Sequence, residues 1–426
     1  MAVIGKGLVG PGQWNRPALA STLAGMASLS VAAFVFLPKG MAAFAVMLVL
    51  ATVVASDLLA RAWKRDAKVI GSLAVLSAGV ACIAIVSMQI TGQGWNTVDN
   101  YSRFLLMPWC AALALALSPS RQWLWLGAAA GVLIAFASAA WEMWSGADRA
   151  GVGDNPIVFA NAVLALLVLV IYCRPRERNP WVIPVVASLL LLGTAAIVMS
   201  GSRGAMPGLG VLMLVAAFGS GGRLARRRLG FSLLALLLFL ALLCSVPWLT
   251  AHMRLGNIPV DLQEYSNGQV DSAIGARLQF LSLAWHAFLE HPLMGVGIDR
   301  FGTLVRHLPE CQAGTPTVCT LGHAHNDVAQ WSATMGLPGL AAILALYMVP
   351  AFLFLRIIIK SGQRQPLGPA WAGLLLVVAY ALSGLTQSMF AHATSTTLYA
   401  VFIGILMGLA LYEAQATRAS APGHGV

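Results

Sequence analysis

Residues 325–356, HNDVAQWSATMGLPGLAAILALYMVPAFLFLR, decide what kind of protein this is. The stretch opens on the polar pair His325-Asn326, passes nine residues and reaches Gly336-Leu337-Pro338-Gly339. From there to Arg356 it is apolar for the ~20 residues a helix needs to cross a ~30 Å hydrocarbon core. It reads as the place where a loop runs into a membrane helix. Comparable apolar runs lie at about 17–37, 41–60, 69–90, 103–118, 123–145, 158–173, 182–199, 207–220, 231–250, 335–356, 368–390 and 396–412. With 59% hydrophobic residues, 10% charged residues and a mean hydropathy of +0.79, a soluble globular protein is excluded, because such chains carry about a quarter charged residues. The expectation is an all-α polytopic membrane protein with about twelve transmembrane helices, forming a single transmembrane domain over 1–426.

Placing the N-terminus in the cytoplasm puts 18 of the 26 Lys and Arg residues on inside segments, notably Arg61 to Lys68, Arg174 to Arg178 and Arg223 to Arg228. Eight remain outside: Lys39, Arg103, Arg149, Arg203, Arg254, Arg277, Arg300 and Arg306. Short-loop basic residues set orientation, so both termini are expected inside and the large loop 251–334, between spans nine and ten, outside. The net charge of +11 then needs no nucleic-acid partner, since cytoplasmic loops facing anionic headgroups account for most of it. The first span follows a basic segment but lacks a small-residue cleavage site, and reads as a retained anchor.

Cys82, Cys110, Cys173 and Cys244 fall in or at the ends of spans, as small hydrophobes. Cys311 and Cys319 instead flank a Gly-Thr-Pro turn in the outside loop, where an oxidising compartment would join them. No Cys/His cluster has zinc spacing. In the same loop Ile274, Leu278, Leu281, Trp285 and Phe288 recur at helical spacing, with Arg277 and Gln279 off the stripe. That predicts an amphipathic helix, either lying on the bilayer or covering a cavity with Arg277 beneath it. A loop of this length is too long for a mere connection.

On one continuous helix His325 and Gly336 would share a face about 16 Å apart. Gly336 and Gly339 would then form a small-residue notch that a helix or lipid tail could enter, with Pro338 as the kink. Spacing alone leaves His325 open as an interfacial histidine, with His323 a competitor. Ser200-Gly201-Ser202-Arg203-Gly204 is a tight outside turn leading to Pro207, at which a helix should begin. A helix N-terminus beside a guanidinium suits an anion, and the small residues would let one approach the backbone. Arg277 supplies a second cation, and two arginines can clamp a pyrophosphate. A solvated helix face is the plainer reading of Arg277. Arg103 and Tyr101 could reach a lipid phosphate or simply anchor the interface, Glu142 marks the headgroup level, and Asp57 pairs with Arg61 at i,i+4. Trp123, Trp125, Trp141 and Trp144 fit an aromatic belt.

These residues resemble the O-antigen ligase family, within the O-antigen polymerase/ligase superfamily. His325, Asn326, Gly336 and Gly339 meet its pattern of His, then Asn, Ser or Gln, nine residues, and Gly-x-x-Gly. Arg203-Gly204 is similar to its Arg-Gly element, and Arg277 followed by His291-Pro292-Leu293-Met294-Gly295-Val296-Gly297 to its loop signature. The resemblance implies a GT-C-like inverting glycosyltransferase of the bacterial inner membrane, needing no metal, nucleotide or other cofactor. It would move O-antigen from undecaprenyl pyrophosphate to the lipid A core at the periplasmic face. His325 would be the base or acceptor-orienting group and Asn326 its helper. Arg203 and Arg277 would clamp the leaving group, with Gly204, Arg103, Gly336 and Gly339 binding substrate. An O-antigen polymerase or a protein O-oligosaccharyltransferase would use the same donor, and a lipid-linked sugar transporter is a third reading.

Overall fold

The computed structural model describes residues 16–153, 155–175, 179–218, 256–267, 272–313, 317–361 and 368–419. Its longer helices are α1 (Arg16–Ala33), α2 (Met41–Val54), α3 (Ser56–Arg65), α4 (Ala67–Thr91), α5 (Leu106–Leu117), α6 (Gln122–Trp144) and α7 (Pro156–Tyr172). There follow α8 (Val182–Met199), α9 (Met206–Phe218), α10 (Asn257–Ser266), α11 (Ala273–Glu290), α12 (Asp327–Ser361), α13 (Gly368–Gly384) and α14 (Ala393–Ala419). No strand occurs among the described residues. Each expected span meets a helix except 231–250, which, like Cys244 and the turn 314–316, lies outside the described residues. Among the described residues, length and composition qualify five helices as membrane crossings, or six if α2 and α3 count as one. The chain is a multi-pass membrane protein.

The span expected at 41–60 is not straight, since α2 and α3 meet at Ala55 with an 85° bend. The reason is chemical: α3 reads SDLLARAWKR, whose charges cannot continue into hydrocarbon. Asp57 in its first turn and Lys64 and Arg65 in its last complement the helix dipole, and Asp57 bonds Arg61 as expected.

Helices α7 and α14 form the centre. Apart from Asn161 the α7 sequence is apolar on every side, which suits full burial, and residues 158–171 are all buried. Gly404 and Gly408, four apart on α14, let it close on α5: a Cβ there would stand 2.5 Å from the Met107 carbonyl oxygen and 2.4 Å from that of Ala111. Gly127 and Gly131 bring α6 equally close to Leu29 and Ala32 of α1. Small residues spaced by four are how helices pack closely where no hydrophobic effect separates them from lipid.

The helix α12 breaks at Gly336 (φ 64°, ψ −148°), so His325 and Gly336 do not share one helical face. His325 stands before the helix with φ 51°. Pro338 has no N–H for the Thr334 carbonyl, and the Leu337 N–H turns away to the Pro292 oxygen at 2.7 Å. The carbonyls of Ala333 and Thr334 are instead taken by Val296 N–H at 2.9 Å and Gly297 N–H at 3.0 Å. The notch at Gly336 is therefore filled by the backbone of 292–294, not by a lipid tail: a Cβ would meet the Pro292 oxygen at 2.5 Å. Gly339 faces Trp331 of its own helix across the kink, with a Cβ position 2.3 Å from that carbonyl oxygen.

The expected apolar stripe on α11 is not its buried face. Ala276, Phe280, Ala284 and Ala287 pack into a small separate core with Phe301, Val305, Ala324 and Ala333. Leu281, Trp285 and Leu289 are exposed. Both faces are apolar, and the alanine face wins because it can approach α12 closely. Cys311 and Cys319 are joined as a disulfide.

Gly295 has φ 66°, and a Cβ on it would lie 2.3 Å from the Thr334 carbonyl carbon. Gly295→Ala should cost ~2 kcal/mol or more in unfolding free energy. Gly322→Ala, where nothing lies within 4 Å, should leave stability unchanged. Thermal unfolding of the purified variants, with limited proteolysis between 272 and 326, checks the contrast.

Candidate active site

The turn carrying Arg203 is built before its guanidinium is placed. Gly201 takes φ 63°, and Ser200 and Ser202 are buried. Arg149 Nε donates to the Ser200 oxygen at 2.8 Å and its Nη2 to Ser202 Oγ at 3.2 Å, while Ser202 Oγ donates to the Pro156 oxygen at 2.9 Å. The two serines thus fasten the turn, and are not laid open to a ligand. Glu142 accepts from the Gly151 and Val152 amides at 2.8 and 2.9 Å and so shapes the same loop, beyond marking a headgroup level. Pro207 lies in the first turn of α9, as expected. Gly204 admits Thr386, whose Oγ1 is 2.4 Å from where a Cβ would be.

That contact brings in a turn the hydropathy pattern conceals. The run 368–390 was expected to be one span, but α13 ends at Gly384 and Leu385 to His392 form a polar turn. Asn161, buried in α7, accepts from Ser383 Oγ at 2.5 Å and fixes where the turn starts. Within it, Gln387 lies between two histidines. Its Oε1 accepts from His325 Nδ1 at 2.5 Å, and its Nε2 donates to His392 Nε2 at 2.9 Å. His392 meets His323 edge to face, ring centroids 5.7 Å apart. With Nδ1 carrying the proton, the free lone pair of His325 is on Nε2.

Helix α11 supplies the opposite side. Phe280 stacks on the His325 ring with centroids 6.1 Å apart and planes 10° from parallel. Arg277 is one turn earlier on that helix. Burial, then the charge of Arg203, lowers the Arg277 pKa, against the pull of Asp261. Burial also lowers the pKa of His325; the Gln387 bond opposes this, and the charges of Arg277 and His323 add to it. Burial and the neighbouring cations thus favour the neutral form of His325. His323 is likewise lowered by burial, with Asp299 opposing. Arg277 thus lies within electrostatic reach of both Arg203 and His325: two cations able to face an anion, and beside one of them an imidazole able to take a proton.

Asn326 caps α12. Its Oδ1 accepts from the Ala329 N–H at 2.9 Å, and its Nδ2 donates to the Leu385 oxygen at 3.1 Å, so both ends of its amide are on backbone. Asp327 beside it is buried, accepting from Tyr347 Oη at 2.7 Å and the Phe390 N–H at 3.2 Å. Arg103 is committed elsewhere, donating to Asp99 Oδ2 at 2.6 Å and Thr397 Oγ1 at 2.9 Å. Gly336 and Gly339 stand at the break in α12, packed against backbone. Sequence reasoning missed Gln387, His392, Phe280, Asp327 and the fastening role of Arg149. Thr386-Gln387-Ser388 inside an apolar run was the available signal for the first two.

Residues 187–344, which contain Arg203, Arg277 and His325, match the family model described as O-antigen ligase. The chain is also 21% identical over 323 residues to a Haemophilus influenzae protein described as uncharacterized, covering 74% of this chain and 80% of that one. The two arginines and the histidine thus lie inside a segment similar to the O-antigen ligase family.

Proposed function

We propose that the protein is an O-antigen ligase: an inverting, metal-independent glycosyltransferase with a GT-C-like fold. It transfers O-antigen from undecaprenyl pyrophosphate to the lipid A core at the periplasmic face of the inner membrane, with both termini cytoplasmic and 251–334 as the periplasmic loop. The observation that carries this reading is the placement of His325, its Nδ1 held by Gln387, beside Arg277, which in turn lies within reach of the Arg203 charge.

An acceptor hydroxyl attacks the anomeric carbon from the face opposite the pyrophosphate. Its proton passes to His325 Nε2 as the new C–O bond forms. The bond from the anomeric carbon to the phosphate oxygen breaks, and its electron pair leaves with undecaprenyl pyrophosphate. Two guanidiniums offset the charge gathering on that leaving group, so no acid need protonate it. Gln387 Oε1 accepts a hydrogen bond from Nδ1–H throughout and stabilises the imidazolium, as an orienting group does for a base. The grouping of basic and apolar segments supports the membrane placement.

The assignment is tested with purified protein, undecaprenyl-pyrophosphate glycan and, separately, lipid A core, O-antigen repeat or acceptor protein. Product on lipid A core alone supports the ligase. Product on the repeat or on protein moves the chain to a polymerase or to a protein glycosyltransferase. His325→Ala should lower kcat by about 10²- to 10⁴-fold. Arg203→Lys and Arg277→Lys should each cost about tenfold or more, because a point charge replaces a fork. Full activity in these variants defeats the mechanism.

The neutral imidazole is the working form, so activity falls as pH drops through the His325 pKa. That pKa lies below the ordinary histidine value. Removing the Arg277 charge in Arg277→Gln should raise the His325 titration midpoint, and removing the bond in Gln387→Ala should lower it. Histidine NMR titration of selectively labelled protein reads both directions.

A further inference from the structure

A cavity of about 220 Å³ opens beside the histidine network, and neither Arg203 nor Arg277 is among its described lining residues. His323 lines it, and His323 reaches His325 through His392 and Gln387. Its polar wall is made of groups that suit hydroxyls. Asp299 offers an acceptor-only carboxylate, exposed and in no ion pair among the described residues. Asn100 donates Nδ2 to the Ala391 oxygen at 2.8 Å and keeps its Oδ1 as an acceptor. Gln330 gives its Oε1 to the Ala324 N–H at 2.7 Å, so its NH₂ remains to donate. Asn96 at the rim brings both an acceptor and a donor. The other wall holds the rings of Tyr101 and Trp331, in contact with each other at 5.1 Å.

No Lys or Arg is among the described residues lining the cavity, so a phosphate finds no counter-charge among them, and the Asp299 carboxylate would repel one. An acyl chain would leave the amides and the carboxylate unpaired. A small uncharged ring rich in hydroxyls, with an apolar face for the aromatic rings, satisfies both walls. Asp299 is held there by the docked loop. It follows Gly297, whose N–H bonds Thr334, and Ile298, whose N–H donates to Ser87 Oγ at 3.0 Å; its own φ is 60°, a conformation that Asp tolerates better than most residues.

We propose that this cavity binds an uncharged sugar residue of the acceptor glycan, which rests on reading the chain as a glycosyltransferase. The acceptor is then gripped by residues distinct from the arginines that face the donor pyrophosphate. Specificity for the acceptor is separated from recognition of the anion.

Binding without turnover tests it. Full-length protein in lipid nanodiscs is titrated with core oligosaccharide stripped of acyl chains and phosphates, and in parallel with inorganic pyrophosphate. Asp299→Asn and Asn96→Ala should each weaken oligosaccharide binding by about tenfold and leave pyrophosphate binding unchanged. Arg277→Lys should do the reverse. Unchanged oligosaccharide affinity in both pocket variants, displacement of the oligosaccharide by pyrophosphate, or no oligosaccharide binding to the wild type would overturn the proposal. Since no donor is present, these results leave the transfer reaction itself to the ligation assay. Oligosaccharide binding without ligation would defeat the ligase reading and keep the pocket.

Discussion

At Gly336 the longest helix loses the amides that would serve the Ala333 and Thr334 carbonyls, and the amides of Val296 and Gly297 replace them. A buried carbonyl left unpaired costs ~1–3 kcal/mol, so the break and the docked loop depend on each other. Gly295 and Gly336 carry no side chain because each faces the other segment's backbone at under 3 Å from a Cβ position. Through this seam, helix Ala273–Glu290 is seated on helix Asp327–Ser361. Phe280 then meets the His325 ring, and Arg277 comes under the influence of Arg203.

The same end of the molecule gathers the other connections that the basic-residue pattern assigns to one side. Arg149 ties 149 to 200–202, Gly204 admits Thr386, Asn326 holds Leu385, and Asn100 holds Ala391. At the opposite end Arg121 pairs with Glu413 and Asp66 accepts from Gln415. Alternating passage of the chain through the bilayer would produce this separation. Polar connections are thus collected at one end while helices Pro156–Tyr172 and Ala393–Ala419 keep the centre apolar.

Much of this was legible in the sequence. Hydropathy placed the helices because backbone groups in hydrocarbon leave few other choices. The Arg203, Arg277 and His325 elements could be named in order, and the Cys311–Cys319 pairing was open to inspection. What failed was geometry that depends on distant partners. A continuous helix from His325 to Gly336 was the natural reading of an eleven-residue spacing, yet the Val296 and Gly297 amides make the break stable. The stripe of Leu281 and Trp285 had the right period, but the alanine face of that helix packs more closely. Gln387 lay hidden because three polar residues do not interrupt a hydropathy window.

The most direct test is a cryo-electron microscopy structure of the protein with a non-transferable undecaprenyl-pyrophosphate glycan. The account predicts the pyrophosphate between the Arg203 and Arg277 guanidiniums, with His325 Nε2 on the far side of the anomeric carbon and Nδ1 still bonded to Gln387. A pyrophosphate bound away from both arginines, or a His325 ring turned from the sugar, would contradict it.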